Sequence, residues 1–281
     1  MHRKVEKRMS LRIGQIEYAN CTPLFTALRK NFDCSDYQFV HGVPARLNAM
    51  LSRGEIDVCP SSSFEYGKSF ERYCLLPGLS ISSIGAVKSV LLFSRLPIDG
   101  LDGHAIGLTA ESDTSVNLLR IIMARRYGFS NRFERTPLPL HEALGSFSAL
   151  LLIGDAALRE KEESHDLYVY DLGELWHEMT GLPFVFALWI VDREAAEKKT
   201  DEIRLLGTRL LEAKQLAYRS YEEIAAGCEH MAWLGRAALV DYWRTISYDL
   251  TPEHISGVQR FFRLAHEMGL ITRDPELRIF Q

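Results

Sequence analysis

Three short stretches gather the groups that could do chemistry: Asn20-Cys21-Thr22, Ser61-Ser62-Ser63 behind Pro60, and the run from Thr109 to Ser115. Each stands between an apolar run and a helical pattern. Hydroxyls combined with the free backbone N–H groups of a helix start bind carboxylate or phosphate. In the third stretch Ser112, Asp113, Thr114 and Ser115 lead into the helix. Capping is the ordinary use of Ser and Thr at such places. Three clusters, one with three consecutive serines, exceed what caps require. A fourth polar turn, "SSIGAVKSV", contains Ser82, Ser83 and Gly85 and reads either as a plain hairpin turn or as a ligand loop. Asp155, in the "GD" after an apolar run, is expected to cap the following helix or to face a cleft.

Other chemistries find less support. Cys21 has the position of a thiol activated by a helix start. However, no neighbour in sequence supplies a base, and small buried cysteines are common at turns. It is expected to be a turn residue beside Asn20, with Thr22 capping the helix that Pro23 begins. No H-E-x-x-H, paired C-x-x-C, EF-hand loop, P-loop, G-x-G-x-x-G or G-x-S-x-G pattern occurs, so no metal or cofactor is expected. The nine histidines are dispersed, and His41, after a strand, is the one expected near a cleft. Met and aromatic residues near 221–244 recur at helical spacing and read as core packing.

The elements that must position these groups alternate in type. Runs at 11–16, 37–41 and 57–59 read as strands, and 23–31 and 45–52 as helices. This alternation predicts βαβ units on mostly parallel sheets. Residues 79–84 and 87–94 read as a strand pair, and the Pro- and Gly-rich 95–104 as a crossing between lobes. Strands follow at 104–108, 132–136, 148–153 and 167–170, with helices at 114–127, 139–145 and 156–161. A Gly-Leu-Pro break then precedes an apolar strand, 184–191, that reads as the return crossing. The rest is helical, with Thr200 and Thr251 as expected N-caps. The expected fold is α/β and two-lobed, with a central cleft. Residues 9–98 plus 187–281 would form the first lobe, 99–186 an inserted second lobe, and 1–8 a flexible tail. Ligands of such sheets lie at the C-terminal ends of strands, where the polar clusters stand.

Bulk properties narrow the function. The 281 residues are 47% hydrophobic and 25% charged with a net charge of −4, so a nucleic-acid surface is not expected. Five scattered cysteines cannot all pair, which fits reduced thiols in a cytoplasmic protein. No secretory signal and no membrane-spanning run are read, so no membrane partner is expected. Oligomeric state is left open.

The blocks "RIGQIEYANCTPLF", "LSRGEIDVCPSSSFEY", "SIGAVKSVLLFSRLP", "LTAESDTSVNLLRIIM", "LLIGDAAL" and "DLGELWHEMTGLPFVFALW" follow one another between about 11 and 192. In that order they resemble the MqnA family, the chorismate dehydratases of the futalosine route to menaquinone. The stretch "ANCTPLF" is closer to that family's "YLNxxPL" form than to the "PNDTF" form of the sister MqnD lyases. Ala19 replaces Leu, and Tyr18, Asn20 and Pro23 are retained. The resemblance implies a type II periplasmic-binding-protein-like fold turned into a cytoplasmic hydro-lyase without a cofactor. The implied reaction turns chorismate into 3-[(1-carboxyvinyl)oxy]benzoate.

Chorismate is a dianion. Under this resemblance Thr22, Ser61, Ser62, Ser63, Ser83, Gly85, Ser112, Thr114, Ser115 and Asp155 are the expected substrate-binding residues, and Asn20 is the expected catalytic one. Candidate bases are Glu17, His41, Glu65, Glu111, Asp113 and Asp155, and none stands out. A carboxylate of the substrate is therefore expected to take the proton. The alternatives are a non-enzymatic small-anion-binding protein of this fold and an MqnD-type lyase acting on a cyclic futalosine.

Overall fold

The structure is a computed structural model. It describes residues 10–163 and 166–281, so the expected tail at 1–8 lies outside the described residues. Two five-stranded sheets carry the fold. In chain order the first half contains β1 (Leu11–Ile16), α1 (Thr22–Asn31), β2 (Tyr37–Gly42), α2 (Pro44–Ser52), β3 (Val58–Ser62), α3 (Ser63–Ser69), β4 (Tyr73–Ser83), β5 (Val90–Ser94), β6 (Ala105–Leu108) and α4 (Asp113–Arg125). Then come β7 (Arg132–Arg135), α5 (Leu140–Ala143), β8 (Ala149–Ile153), α6 (Gly154–Glu163), β9 (Tyr168–Asp171), α7 (Leu172–Thr180) and β10 (Phe184–Asp192). The last third holds α8 (Arg193–Lys198), α9 (Thr200–Arg219), α10 (Tyr221–Ala226), α11 (Met231–Leu234), α12 (Arg236–Thr245) and α13 (Pro252–Glu267).

Local chemistry explains many boundaries. Pro23 pre-sets the first turn of α1, whose Leu24, Phe25, Ala27 and Leu28 are buried while Arg29 and Lys30 close its last turn. Ser112 caps α4 by accepting the Ser115 N–H, and Asp171 caps α7 by accepting from Gly173 and Glu174. Gly181 ends α7 at φ +71°, the left-handed conformation of a C-terminal glycine. Thr251 caps α13 as expected. Thr200 does not cap α9: it lies inside the helix, and its hydroxyl donates back to the Ala196 carbonyl.

The first sheet has the order β2-β1-β3-β10-β4 and the second β7-β6-β8-β5-β9. Both are mixed, which corrects the expectation of mostly parallel sheets. β1 runs parallel to β2 and β3, and β10 is antiparallel to β3 and β4. β5 is antiparallel to both β8 and β9. A second correction concerns the expected strand pair. β4 and β5 do not pair, and they belong to different sheets. The chain changes lobes between Ser83 and Val90, not at 95–104, and returns at Phe184. The lobe limits 9–98 and 99–186 therefore put β5 and the start of β10 on the wrong sides. Gly85 (φ +77°) and Lys88 (φ +64°) make the turn that carries the chain across.

Alternation in β5 sorts its side chains to two faces. Val90 and Leu92 join the main core, while Leu91 and Phe93 pack with Leu140, Leu144, Phe147 and Leu150 on the far side of the second sheet. The main core includes residues of both sheets. In the first lobe α13 packs tightly on the return crossing: a Cβ on Gly257 would stand 2.1 Å from the Pro183 carbonyl oxygen. Phe261 of that helix meets Phe184 and Trp176 edge to face. The edge strand β4 is hydrogen-bonded by two returning C-terminal segments. Ser82 exchanges N–H···O bonds with Ser247 (2.9 and 2.8 Å), and Leu75 with Arg278 and Phe280 (2.8 Å each).

Candidate active site

A cavity of ≈ 60 Å³ lies between the lobes. Ile16, Tyr18, Asn20, Ser62, Phe186 and Ala187 face it from the first lobe, and Ser112, Ser115, Ile153 and Gly154 from the second. Ser89 and Val90 line it from the crossing. Most of its polar side chains stand at the C-terminal ends of β1 and β3 and at the start of α4, the sites the strand-end rule selects, while Ser89 lies just before β5. Among the described residues, no carboxylate, imidazole, ammonium or guanidinium group lines it.

Asn20 sits in a single 3-10 turn, 19–21, directly after β1. Its backbone is fixed on both sides. The Trp243 indole N–H donates to the Ala19 carbonyl (2.8 Å), and the Tyr248 hydroxyl donates to the Asn20 carbonyl (2.7 Å). Its side-chain Oδ1 is buried and has no hydrogen-bond partner in the protein. Buried polar atoms are rarely left so; five other buried side-chain atoms of the described residues share this state, and of the six residues only Asn20 lines the cavity.

The expected hydroxyls divide into two groups. Ser62, Ser112 and Ser115 line the cavity. Thr114 stands behind them: its Oγ1 accepts the Phe64 N–H (3.1 Å) and lies 2.5 Å from the Ser62 hydroxyl, joining the two lobes. The other residues are held elsewhere. The Ser61 hydroxyl donates to Asn48, and the Ser63 hydroxyl donates to the Val185 carbonyl (2.6 Å). Ser83 donates to the Gly85 carbonyl (2.8 Å), so this pair shapes the crossing turn. Thr22 does not cap α1, which has no side-chain cap, and it faces a separate surface pocket with Cys228 and His230. Asp155 lies within the first turn of α6, and its carboxylate accepts the Ala19 N–H (3.1 Å) and contacts His230 (3.0 Å) instead of capping.

The lining residues that escaped sequence reasoning include Tyr18, Ser89 and Gly154. The Tyr18 hydroxyl donates to Glu111 across the lobes (2.6 Å). Burial and then that carboxylate push its pKa far up, so the phenol stays protonated. Ser89 accepts from the Tyr242 hydroxyl (2.9 Å). Its signal lay in the polar turn "SSIGAVKSV", read too narrowly as Ser83 and Gly85.

The candidate bases are occupied outside the cavity. Glu17 and His41 face each other at 3.6 Å and are both exposed, so His41 is not the cleft histidine. Glu65 accepts from Tyr73 (3.1 Å) and pairs with Lys68 (2.9 Å). Asp113 pairs with Lys68 (3.2 Å) and Arg135. Burial raises its carboxyl pKa, and the two cations outweigh burial and hold it below the ordinary value. Cys21 is buried, and burial pushes its thiol far above the ordinary range, which leaves no thiolate for nucleophilic work.

Two mixed α/β sheets around a hydroxyl-lined cleft define a two-lobed protein of the periplasmic-binding-protein fold. Solved structures with this shape include protein AF1704 from Archaeoglobus fulgidus, with 19% identity, a TM-score of 0.73 and coverage of 93% of this chain and 98% of that one. The periplasmic aliphatic sulphonate binding protein SsuA from Escherichia coli has 18% identity, a TM-score of 0.71 and coverage of 98% and 93%. The chain belongs to the menaquinone biosynthesis family, whose sequence model matches residues 11–267. Among its relatives is a chorismate dehydratase from Thermus thermophilus, 32% identical over 273 residues, covering 92% of this chain and 95% of that one. Another, from Campylobacter jejuni, is 28% identical over 178 residues, covering 62% and 64%.

Proposed function

We propose that the protein is a hydro-lyase that removes water from chorismate to give 3-[(1-carboxyvinyl)oxy]benzoate, the first step of the futalosine route to menaquinone. The observation that carries the mechanism is the orphan Oδ1 of Asn20 in a cavity otherwise lined by neutral hydroxyls and apolar walls. The site binds a dianion without a buried cation. Ser62, Ser112 and Ser115, with the first turn of α4, offer hydrogen-bond donors to its carboxylates.

Elimination requires two bond changes. A proton leaves the ring carbon that bears the ether, and its electron pair becomes the new ring double bond. Hydroxide leaves the adjacent carbon and departs as water with the proton taken from the ring, which the base hands on to it. Aromatisation drives both. Since no carboxylate or imidazole of the described residues lines the cavity, a carboxylate of the substrate takes the ring proton. Asn20 accepts from the leaving hydroxyl through Oδ1, and its amide N–H₂ donates to the carboxylate. Holding the substrate's own base in contact replaces a protein base by positioning. Contacts between the lobes, Tyr18 with Glu111 and Ser62 with Thr114, close the site against water.

A cytoplasmic location belongs to the same proposal and rests on the five free cysteines. Among the described residues no helix is long and apolar enough to cross a membrane. The test is incubation with chorismate, with the aromatic product followed by absorbance and mass. Absence of product would favour a binding protein of the same fold. Glu17, His41, Glu65, Glu111 and Asp113 are then replaced singly by isosteres. A variant that abolishes turnover but retains chorismate affinity would reinstate a protein base. Asn20→Ala is expected to lower kcat about a hundredfold, the scale of misplacing reacting groups that a side chain holds in position.

A further inference from the structure

The turn that carries Asn20 is held by a pair of groups that do not touch the cavity. Asp155, on α6 of the second lobe, accepts the Ala19 N–H on Oδ1 at 3.1 Å. Its Oδ2 lies 3.0 Å from Nε2 of His230, a buried residue just before α11. The His230 Nδ1 stands 3.2 Å from the Cys228 Sγ. Ala19 immediately precedes Asn20, so Asp155, backed by His230, fixes from the opposite lobe the Tyr18–Ala19 peptide, one step before the peptide that enters the candidate catalytic residue.

We infer that Asp155 and His230 are positioning residues that aim the Asn20 amide at the reacting edge of the substrate, and that they do so only when the lobes meet. The inference rests on the dehydratase reading for its kinetic part. An ionised carboxylate only accepts, so the imidazole Nε2 carries a hydrogen toward Asp155. In the neutral ring Nδ1 then accepts from the Cys228 thiol. The charged neighbours of the ring are few. Glu229 adjoins it and Glu17 approaches through its backbone. Arg29, Lys30, Glu223 and Glu229 share with it the surface pocket behind the turn. The hydrogen bond that His230 donates to Asp155 raises the His230 pKa against the opposing effect of burial. The ring is therefore charged below its raised pKa, and the pair weakens as pH rises through it.

Positioning partners of reactive groups, when removed, commonly cost ten- to a hundredfold. His230→Ala is expected to lower kcat by that factor with KM changed less than threefold. His230→Gln, which keeps an N–H for Asp155, is expected to recover most of the loss and to abolish any basic-limb titration of kcat. In an Asn20→Ala background, His230→Ala is expected to reduce kcat less than twofold further. A purely structural role would instead multiply the two losses, and that result overturns the inference.

A second readout needs no turnover. The Asn20 side-chain amide resonance, identified by its absence in Asn20→Ala, is followed by NMR across the His230 titration. It is expected to move in the wild type and to stay fixed in His230→Gln, and a resonance unmoved in the wild type also overturns the inference. If the wild type makes no product from chorismate, the dehydratase reading fails and the NMR result still decides the positioning role. If His230→Ala does not fold, the Gln variant and the titration decide it.

Discussion

Adding one methyl group at Gly154 should unsettle both the backbone and the contact between the lobes. Gly154 has φ +58°, where an L-residue costs roughly 1 kcal/mol. A Cβ there would stand 2.9 Å from two carbons of the Tyr18 ring, closer than real Cβ atoms come. The ring cannot withdraw freely, because its hydroxyl is tied to Glu111 at 2.6 Å. Relieving the clash breaks that bond. A hydrogen bond to a charged group contributes about 1.5–3 kcal/mol, and the partial exposure of both residues argues for the lower end. Gly154→Ala is therefore expected to destabilise the protein by about 2.5 kcal/mol, or ~5–10 °C in Tm for a chain of this size. Urea and thermal unfolding measure it. In a Tyr18→Ala background the steric part disappears, and the cost should fall to the backbone share of about 1 kcal/mol. An equal cost in both backgrounds, or no cost in the wild type, would refute the reasoning.

Other outcomes follow from the same geometry. Ser112→Ala should raise the KM for chorismate by removing a hydroxyl from the cavity and lower stability by about 1 kcal/mol by removing the α4 cap, whereas Ser63→Ala should lower stability by about 1 kcal/mol by removing its bond to the Val185 carbonyl, with KM little changed. Enzyme kinetics and unfolding curves separate the two. Cys21→Ala should retain turnover within a few-fold, and native protein should resist alkylation at Cys21 as read by peptide mass, since burial keeps the thiol protonated. Asp57 accepts from the Arg12 backbone (2.7 Å), the Arg12 guanidinium (2.6 Å) and Lys199 (2.7 Å). Burial raises its carboxyl pKa, but these donors outweigh burial and lower it. Its contribution is therefore complete above the unfolded carboxyl pKa of ~3.9 and is lost as pH falls toward the lower folded value. Asp57→Asn should be less stable at pH 7 and should show a flatter acid limb below about pH 4 in urea titrations.

Local signals carried most of the fold. β1 was legible to the residue because its apolar pattern ends at the polar turn, and α1 and α13 because proline opens each. The failures are of longer range. Two apolar runs around "SSIGAVKSV" look like a hairpin, but the partners of β5 are Ala149–Ile153 and Tyr168–Asp171, far along the chain, and together they take both edges of Val90–Ser94 and leave none for β4. The serine cluster was found, but not which member faces the ligand. β3 extends through Ser62, so neighbouring serines point to opposite sides, and Ser61 turns to Asn48 while Ser62 turns to the cleft. Asp155 was noticed and its role missed, since His230 lies 75 positions away and nothing local links them.

The two C-terminal returns that hydrogen-bond β4 also bear on how the protein survives in a crowded cell. An outermost strand of 11 residues with bare N–H and C=O groups would be a template on which other copies could stack. Residues 247 and 278–280 hem that border from within the same chain. The chain thus closes the border of its own first sheet with residues made last, and a chain cut short before residue 247 would leave that border open.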